Sequence, residues 1–360
     1  MTTHRSATAE MVGGRYELGH MIGRGGMASV YSARDVKLHR DVALKLFALE
    51  PADPLDLKRQ ETEIDFLATL NHPGLVTLFD AGAETRTRGE SQPYLAMELV
   101  DGKDLKDRLR HGPVTGNDLA VIGEGVAAAL AYVHAKGIVH RDIKPANILL
   151  VQVRPGTLLQ PKLSDFGLAR SLDASRLTSA GMMLGTAAYL SPEQAMGADL
   201  GPASDIYSLG LVLLECLKGE LEYTGSAVES AVARLQRAPV IPASVPSEWA
   251  RLLRAMTAMD PLDRPDAAAV EASLRHALAS PGFVPGPIAG TVRPAHRGTS
   301  RLRKAGRRLA TGVLLVAVAL FATAPALPAA APAAPAVVDY PAVDGTVGDL
   351  LKQLQESVEP

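Results

Sequence analysis

The sequence contains almost no cysteine and almost no net charge. Cys216 is the single cysteine among 360 residues, which excludes an internal disulfide and a zinc site built from several thiolates. The 37 basic and 39 acidic residues leave a net charge of −2, so bulk electrostatics give no argument for nucleic acid as a partner. A reducing compartment fits such a chain.

Apolar side chains, in contrast, are abundant. Hydrophobic residues make up 47% of the chain and charged residues 21%, which excludes a disordered or collagen-like protein. A mean hydropathy of +0.09 is high for a chain that is entirely soluble and favours one segment in contact with lipid. The length allows about two domains.

The apolar excess is concentrated near the end of the chain. Residues 280–299 are rich in Pro and Gly, a basic cluster extends to residue 308, and residues 309–338 carry no charge. We expect a linker over 280–308, a single transmembrane helix over 309–329 and a short extracytoplasmic tail over 330–360. A flexible Ala- and Pro-rich tail, or a helix lying in the membrane interface, is the alternative.

The charges around this segment predict its orientation. Basic residues precede it and mostly acidic residues follow it, which places the preceding domain on the cytoplasmic side of the cell membrane. The first ten residues lack an apolar core, so no cleavable signal is expected there. The basic cluster also favours contact with anionic lipid.

Residues 14–279 have the sequence pattern of a folded domain. Short β-branched or apolar runs occur at 16–22, 30–33, 42–47 and 94–99, and helix-like apolar periodicity follows. This order predicts an α+β domain with a strand-rich N-terminal lobe and a helical C-terminal lobe.

A glycine cluster lies between the first two predicted strands. It contains Gly23, Gly25 and Gly26, flanked by Ile22 and Val30. Glycines let backbone N–H groups approach phosphate oxygens, although an ordinary hairpin turn would use the same residues.

A lysine follows within an apolar strand pattern. Lys45 closes the run Val-Ala-Leu-Lys and needs an anionic partner. Glu63, on a helix-like segment downstream, is the expected partner, and Glu61 is the alternative. Such a pair would hold the lysine towards phosphate oxygens.

Two further strings carry the groups that phosphoryl transfer requires. Residues 140–147 supply the carboxylate of Asp142, the cation of Lys144 and the amide of Asn147, while Asp165 precedes a Phe-Gly pair. A carboxylate orients an attacking hydroxyl, a cation neutralises the transferred group, and amide and carboxylate oxygens suit Mg²⁺. Surface turns are the alternative interpretation of both strings.

This ordered set resembles the signature of the bacterial, membrane-anchored, eukaryotic-like serine/threonine protein kinases. The resemblance covers residues 14–279 and implies the two-lobed protein kinase fold. It implies that Asp142 is the catalytic base, that Lys144 assists, and that Asn147 and Asp165 hold Mg²⁺. Lys45 would contact the ATP phosphates and pair with Glu63.

The resemblance also implies an adenine pocket and a set of structural supports. Residues 97–100 correspond to the hinge, with Met97 as gatekeeper followed by Glu98 and Val100, while Val30, Ala43 and Leu149 enclose the base. The implied supports are a pair between Glu193 and Arg264, Asp205 beneath the catalytic loop, Thr186 beside Lys144, and Arg141 as counter-ion to a phosphate on the activation segment.

Regulation, cofactors and partners follow from the same resemblance. Thr178 and Ser179 are the candidate autophosphorylation sites, with Ser175 as a further acceptor. The implied cofactors are ATP and Mg²⁺, with Mn²⁺ as a substitute, and the implied partners are protein substrates and a second copy bound through the N-terminal lobe.

Two departures and two competing functions accompany this interpretation. Ala28 replaces the third glycine of the loop, and residues 151–161 lengthen the hairpin before Asp165. A pseudokinase-like scaffold that binds nucleotide without turnover is the alternative function. A sensor with its own ligand-binding domain is disfavoured because few residues follow the apolar run.

Overall fold

Antiparallel strands dominate the described residues up to Glu98 in the computed structural model. The structure describes residues 10–25, 28–48, 68–85, 91–114, 116–152, 159–165 and 187–279. Every described residue lies within residues 1–294.

Among the described residues, six strands form the sheet of the N-terminal lobe. They are β1 (Met11–Val12), β2 (Tyr16–Arg24), β3 (Ala28–Asp35), β4 (Arg40–Phe47), β5 (Leu78–Thr85) and β6 (Ser91–Glu98). Each neighbouring pair is antiparallel in the order β1-β2-β3-β4-β6-β5. The four predicted strand runs therefore lie in this sheet, with Leu99 just beyond the end of β6.

A small hydrophobic core stabilises this sheet. Alternate residues of β4, Val42 and Leu44, are fully buried and share one cluster with Tyr16 and Ala96. Tyr16 also meets Tyr94 edge to face, with ring centroids 5.7 Å apart. Val42 and Leu44 thus lie on one buried face of the sheet.

A second sheet and the helices form the C-terminal lobe. The sheet has the order β7-β8-β9, with β7 (Gly102–Asp104), β8 (Ile148–Val151) and β9 (Gln160–Leu163). Within the described part of the chain the helices are α1 (Leu105–Leu109), α2 (Asn117–His134), α3 (Pro192–Ala195), α4 (Pro202–Lys218), α5 (Ala227–Gln236), α6 (Ser247–Met256) and α7 (Ala267–Ala279). Short 3₁₀ turns lie at Pro145–Asn147, Ala187–Tyr189 and Pro261–Asp263.

Helix α4 is the centre of this lobe. Thirteen of its 17 residues are buried, as expected for a helix that is surrounded by other elements rather than lying on the surface. Helix α2 packs closely beside it at Gly123, where an added Cβ would lie 2.9 Å from a methyl carbon of Leu274 and 3.1 Å from one of Leu213. A side chain at position 123 would therefore force the ends of these two leucine side chains to move.

The prediction of a strand-rich lobe followed by a helical lobe is confirmed. The lengthened connection before Asp165 is the β8–β9 hairpin, in which Ile148 pairs with Leu163 and Val151 with Gln160. The predicted linker, transmembrane helix and tail all lie outside the described residues. Within the part of the chain that the structure describes, no helix has the length and hydropathy needed to cross a bilayer.

Candidate active site

Loop 140–147 joins α2 to β8 and is anchored by one buried carboxylate. Asp205, near the start of α4, accepts hydrogen bonds from the backbone N–H groups of His140 at 2.7 Å and Arg141 at 2.8 Å. Its Oδ2 atom also lies 2.9 Å from Nε2 of His134. A buried carboxylate is costly unless it is hydrogen-bonded, so these contacts fix the loop to α4.

The ring of His140 extends this anchoring to the strand that leads to Asp165. Burial lowers the pKa of the His140 imidazole, which keeps the ring neutral. Its Nε2–H donates to the carbonyl of Ser164 at 3.0 Å, and its Nδ1 accepts from the backbone N–H of Asp142 at 3.3 Å. One side chain therefore sets the spacing between the two acidic strings.

Asp142 lies at the centre of the loop and has two different carboxylate oxygens. Its Oδ2 accepts from Nζ of Lys144 at 2.7 Å and from Nδ2 of Asn147 at 3.0 Å. Its Oδ1 is buried and has no hydrogen-bond partner among the described residues. A buried acceptor without a donor is unfavourable, so this oxygen is suited to receive a hydroxyl from a substrate.

Asn147 and Asp165 come together at one end of the β8–β9 hairpin. The carbonyl of Asn147 accepts a hydrogen bond from the backbone N–H of Ser164 at 2.9 Å. Because Asp165 is the next residue after Ser164, it lies close to Asn147. Asp165 has a positive φ of 59°, which turns the chain as it leaves β9. Amide and carboxylate oxygens at one hairpin end are a donor set that fits Mg²⁺.

Lys45 connects the N-terminal sheet to this hairpin end. It lies in β4 between buried neighbours, and its Nζ is 2.6 Å from Oδ1 of Asp165. The Lys45 side chain is 15% exposed and that of Asp165 is 38% exposed. The lysine therefore reaches the acidic group that is also the candidate metal ligand, and the sequence analysis did not predict this contact.

Two glycines of the cluster, Gly23 and Gly25, lie at the end of β2 and directly after it. Gly23 pairs with Val30, and the backbone N–H of Gly25 donates to the carbonyl of Ala28 at 2.9 Å. Ile22 is 46% exposed at the edge of the hairpin. The end of β2 therefore lies beside the start of β3.

The apolar residues expected around adenine lie on neighbouring strands. Ala43 in β4 pairs with Met97 in β6, and Val30 pairs with Lys45 across β3 and β4. Leu149 comes from β8, in the other lobe. Ala43 is buried, whereas Val30, Met97, Val100 and Leu149 are half-buried.

Glu98 makes contacts that the hinge assignment does not predict. Its Oε2 accepts from Nζ of Lys162 at 3.0 Å and from the backbone N–H of Thr77 at 3.2 Å. Lys162 also donates to the carbonyl of Leu75 at 3.3 Å. This ion pair joins the end of β6 to β9, the strand that leads to Asp165.

Glu193 and Arg264 form a buried, two-pronged ion pair behind the loop. Their N–O distances are 2.7 and 2.9 Å, and Ser204 adds a hydrogen bond to Glu193 at 2.7 Å. Burial alone would raise the pKa of Glu193, but the bonds from Arg264 and Ser204 outweigh it and hold that pKa below its ordinary value. The Arg264 side chain is fully buried.

Several expected residues lie outside the described ranges. These are Gly26, Glu63, Thr178, Ser179 and Thr186. The Lys45–Glu63 pair, with Glu61 as its alternative, and the phosphorylation sites therefore stay predictions.

Sequence reasoning missed three residues that hold the site together. His134 contacts Asp205, Lys162 contacts Glu98, and the Nε2 of Gln194 donates to the carbonyl of Arg141 at 2.9 Å. The partners are 71, 64 and 53 residues apart in sequence. For Gln194 a local signal existed, because Ser191 and Gln194 have the spacing of a helix capping box, which the structure contains.

The chain has the architecture of a protein kinase domain. It consists of a strand-rich lobe and a helical lobe, with acidic and basic residues arranged between them. The family model for the protein kinase domain matches residues 16–277. The chain belongs to the protein kinase family and, within it, to the bacterial eukaryotic-like serine/threonine protein kinases.

Three relatives illustrate the similarity. The serine/threonine-protein kinase PknB of Mycobacterium leprae is 42% identical over 232 residues, covering 63% of this chain and 36% of the relative. The probable PknB of Bifidobacterium longum is 39% identical, covering 72% and 39%. PknA of Mycobacterium tuberculosis is 39% identical, covering 70% and 58%. The chain thus spans well under two thirds of the length of these relatives.

Proposed function

We propose that the chain is a serine/threonine protein kinase that transfers the γ-phosphate of ATP to hydroxyl groups of proteins. The observation that carries this proposal is the buried Oδ1 of Asp142, which has no hydrogen-bond partner among the described residues and lies beside Lys144 and Asn147. A serine or threonine hydroxyl would supply the missing donor, and the carboxylate would accept its proton as the oxygen attacks phosphorus.

The other predicted site residues divide into two groups. Lys144 and Lys45 would neutralise the phosphate oxygens of ATP. The glycine cluster would donate backbone N–H groups to the same oxygens. The half-buried apolar residues Val30, Met97, Val100 and Leu149, with buried Ala43, would line the adenine pocket.

Asn147 and Asp165 are the residues that would hold Mg²⁺, or Mn²⁺ in its place. When bound, the metal supplies charge neutralisation on the phosphates of ATP. The 2.6 Å contact between Lys45 and Asp165 supports this placement, because it keeps the lysine beside the oxygen ligands.

We also propose that the kinase domain, residues 14–279, is cytoplasmic and anchored to the cell membrane. The anchor would be the helix over 309–329, reached through the linker over 280–308 and followed by the tail over 330–360. The uncharged run and the basic residues before it support this. Recovery of the full chain in the salt-washed membrane fraction is the expected result, and recovery in the supernatant would contradict the anchor.

Autophosphorylation of the activation segment and a homodimer complete the proposal. Thr178 and Ser179 are the acceptors, and Arg141, exposed beside Asp142, would pair with the resulting phosphate. A dimer through the N-terminal lobe would allow this transfer between two copies. Dilution should then slow autophosphorylation more than in proportion to concentration.

Phosphate transfer by the full chain tests the activity. The chain is incubated in detergent with Mg²⁺ and labelled ATP, beside Asp165→Asn, and the labelled residues are identified by mass spectrometry. Label on Ser or Thr in the wild type, lost in the variant and on chelation of Mg²⁺, is the expected result. Retained ATP binding without any label would favour the pseudokinase-like scaffold instead.

A further inference from the structure

A second buried arginine of the C-terminal lobe has an unusual set of partners. Arg234, in α5, is fully buried, yet no carboxylate contacts its guanidinium among the described residues. Its Nε donates to the carbonyl of Ser230 at 3.1 Å, and one terminal nitrogen donates to the Ser230 hydroxyl at 2.9 Å. The two terminal nitrogens also donate to the carbonyls of Leu190 and Ala187.

Burying a cation with carbonyl partners alone is energetically expensive. Burial lowers the pKa of the Arg234 guanidinium, whereas Arg264, close by, has the carboxylate of Glu193 as compensation. The ring of Tyr223 lies 4.9 Å from the Arg234 guanidinium carbon and offsets part of the cost by a cation–π contact. An apolar residue would fill this space at less cost, which indicates that the forked hydrogen-bonding geometry itself is useful.

The two carbonyls that Arg234 holds lie on either side of one short turn. Ala187 begins the 3₁₀ turn Ala187–Tyr189, and Leu190 follows it. The hydroxyl of Ser208 donates to the carbonyl of Tyr189 at 2.8 Å, so α4 holds the middle of the turn while α5 holds its ends. The backbone of this turn is therefore fixed from two helices.

The helix that follows this turn contacts the residue before the candidate base. Ser191 caps the following helix, whose Gln194 donates to the carbonyl of Arg141 at 2.9 Å, one residue before Asp142. A protein substrate whose serine or threonine hydroxyl contacts Asp142 has further residues on both sides of that serine or threonine. Residues flanking that hydroxyl consequently pass near Arg141 and the helix into which this turn leads.

We propose that Arg234 is a positioning residue for the protein substrate, because it fixes the backbone of residues 187–190 where the substrate chain passes Asp142. This rests on the proposed kinase function. Arg234 does not touch the reacting atoms, and its role is to hold two carbonyls in one orientation. Loss of the guanidinium should therefore weaken the binding of protein substrates and leave the handling of ATP unchanged.

Arg237 provides a matched control on the same helix end. Its guanidinium carbon lies 4.7 Å from the centre of the Tyr223 ring, and it pairs with Glu222 instead of residues 187–190. Replacing Arg237 by Met therefore removes a cation from the same ring without releasing the turn.

The test compares steady-state kinetics of the full chain with Arg234→Met, Arg234→Lys and Arg237→Met. The substrate is a synthetic peptide that matches a Ser or Thr site mapped on the wild-type chain, and ATP is varied separately. For Arg234→Met we expect the KM for peptide to rise about tenfold, with the KM for ATP within about twofold of wild type. Arg234→Lys keeps the charge but loses the forked guanidinium, so its KM for peptide should lie between those of wild type and Arg234→Met. The KM of Arg237→Met for peptide should match that of wild type.

The outcomes separate the inference from the function on which it rests. A wild-type chain that phosphorylates nothing contradicts the kinase function itself. If the wild type is active and both Arg234 variants have the wild-type KM for peptide, the positioning role alone is overturned. Should Arg234→Met fail to fold, Arg234→Lys decides: a raised peptide KM with unchanged ATP KM supports the role, and equal changes in both contradict it.

Discussion

The two sides of the candidate site are built on different electrostatic principles. On the C-terminal side, Asp205 and Glu193 are buried and each accepts several hydrogen bonds, from His134, from loop 140–147 or from Arg264. On the N-terminal side, the ion pair that Lys45 makes within the described residues is with Asp165, at a partly exposed position.

This difference separates the frame of the site from the groups that would meet the nucleotide. Buried charges with several fixed partners resist movement, because losing one partner leaves an uncompensated charge in a poorly polarisable environment. A partly exposed ion pair is worth little and is easily exchanged for other charges. Lys45 can thus turn from Asp165 to phosphate oxygens at little cost, while Asp142 stays where Asp205 and His140 hold its loop.

The largest effect is expected from breaking the frame. Arg264→Ala leaves Glu193 buried without its cation, and we expect the free energy of unfolding to fall by about 3–5 kcal/mol. Urea denaturation of the full chain, followed by fluorescence of the buried Trp249, measures it. Arg275→Ala, which removes an exposed arginine, is the control and should unfold like wild type. Equal stability of the two variants would contradict the account of the frame.

The second-largest effect is expected from a change at Lys45, on the N-terminal side of the site. Lys45→Met should slow phosphate transfer about a hundredfold, equal to about 2.7 kcal/mol in the barrier, because a charge beside the phosphates is lost. Its unfolding midpoint in urea should stay close to that of wild type, since the pair with Asp165 is partly exposed. A large loss of stability with activity retained would reverse the proposed division between the two sides.

Acidification should weaken the frame through Glu193. Its pKa is lowered in the folded chain, so its stabilising contribution is present above the unfolded value of 4.5 and is lost as the pH falls below it. Thermal unfolding followed from neutral pH down to about pH 3 should show a steeper loss for wild type than for Glu193→Gln, which has no carboxylate to protonate. Parallel curves for the two proteins would show that Glu193 does not contribute.

The smallest effect concerns the contact between the two lobes. Lys162→Met removes the partner of Glu98, and both side chains are partly exposed. We expect the KM for ATP to rise about two- to threefold, equal to about 0.5 kcal/mol, with little change in the rate at saturation. Lys136→Met, a change in a lysine at the end of α2, serves as the control. A lower rate at saturation would place Lys162 in the chemistry instead.

The sequence predicted the lobes well because their signals are local. The apolar run at residues 42–47 and the apolar periodicity later in the chain each depend on a few neighbouring residues, and the sheet and helices follow them. The same holds for loop 140–147, where Asp142, Lys144 and Asn147 interact within five residues.

Partners that are distant in sequence could not be predicted in this way. Periodicity indicates that a residue is buried and leaves open which residue it meets, so neither His134 with Asp205 nor Arg234 with residues 187–190 was foreseen. Lys45 was expected to need an anion, and the contact with Asp165 depends on how the two lobes fold together.

ATP binding and phosphate transfer, measured together on Asp142→Asn and on the wild-type full chain, test the central claim most directly. Asparagine keeps the shape of the side chain but cannot accept the hydroxyl proton. We predict an ATP dissociation constant within about twofold of wild type and a transfer rate lower by about a thousandfold. Transfer at the wild-type rate would contradict the assignment of Asp142 as the base and with it the mechanism proposed for this chain.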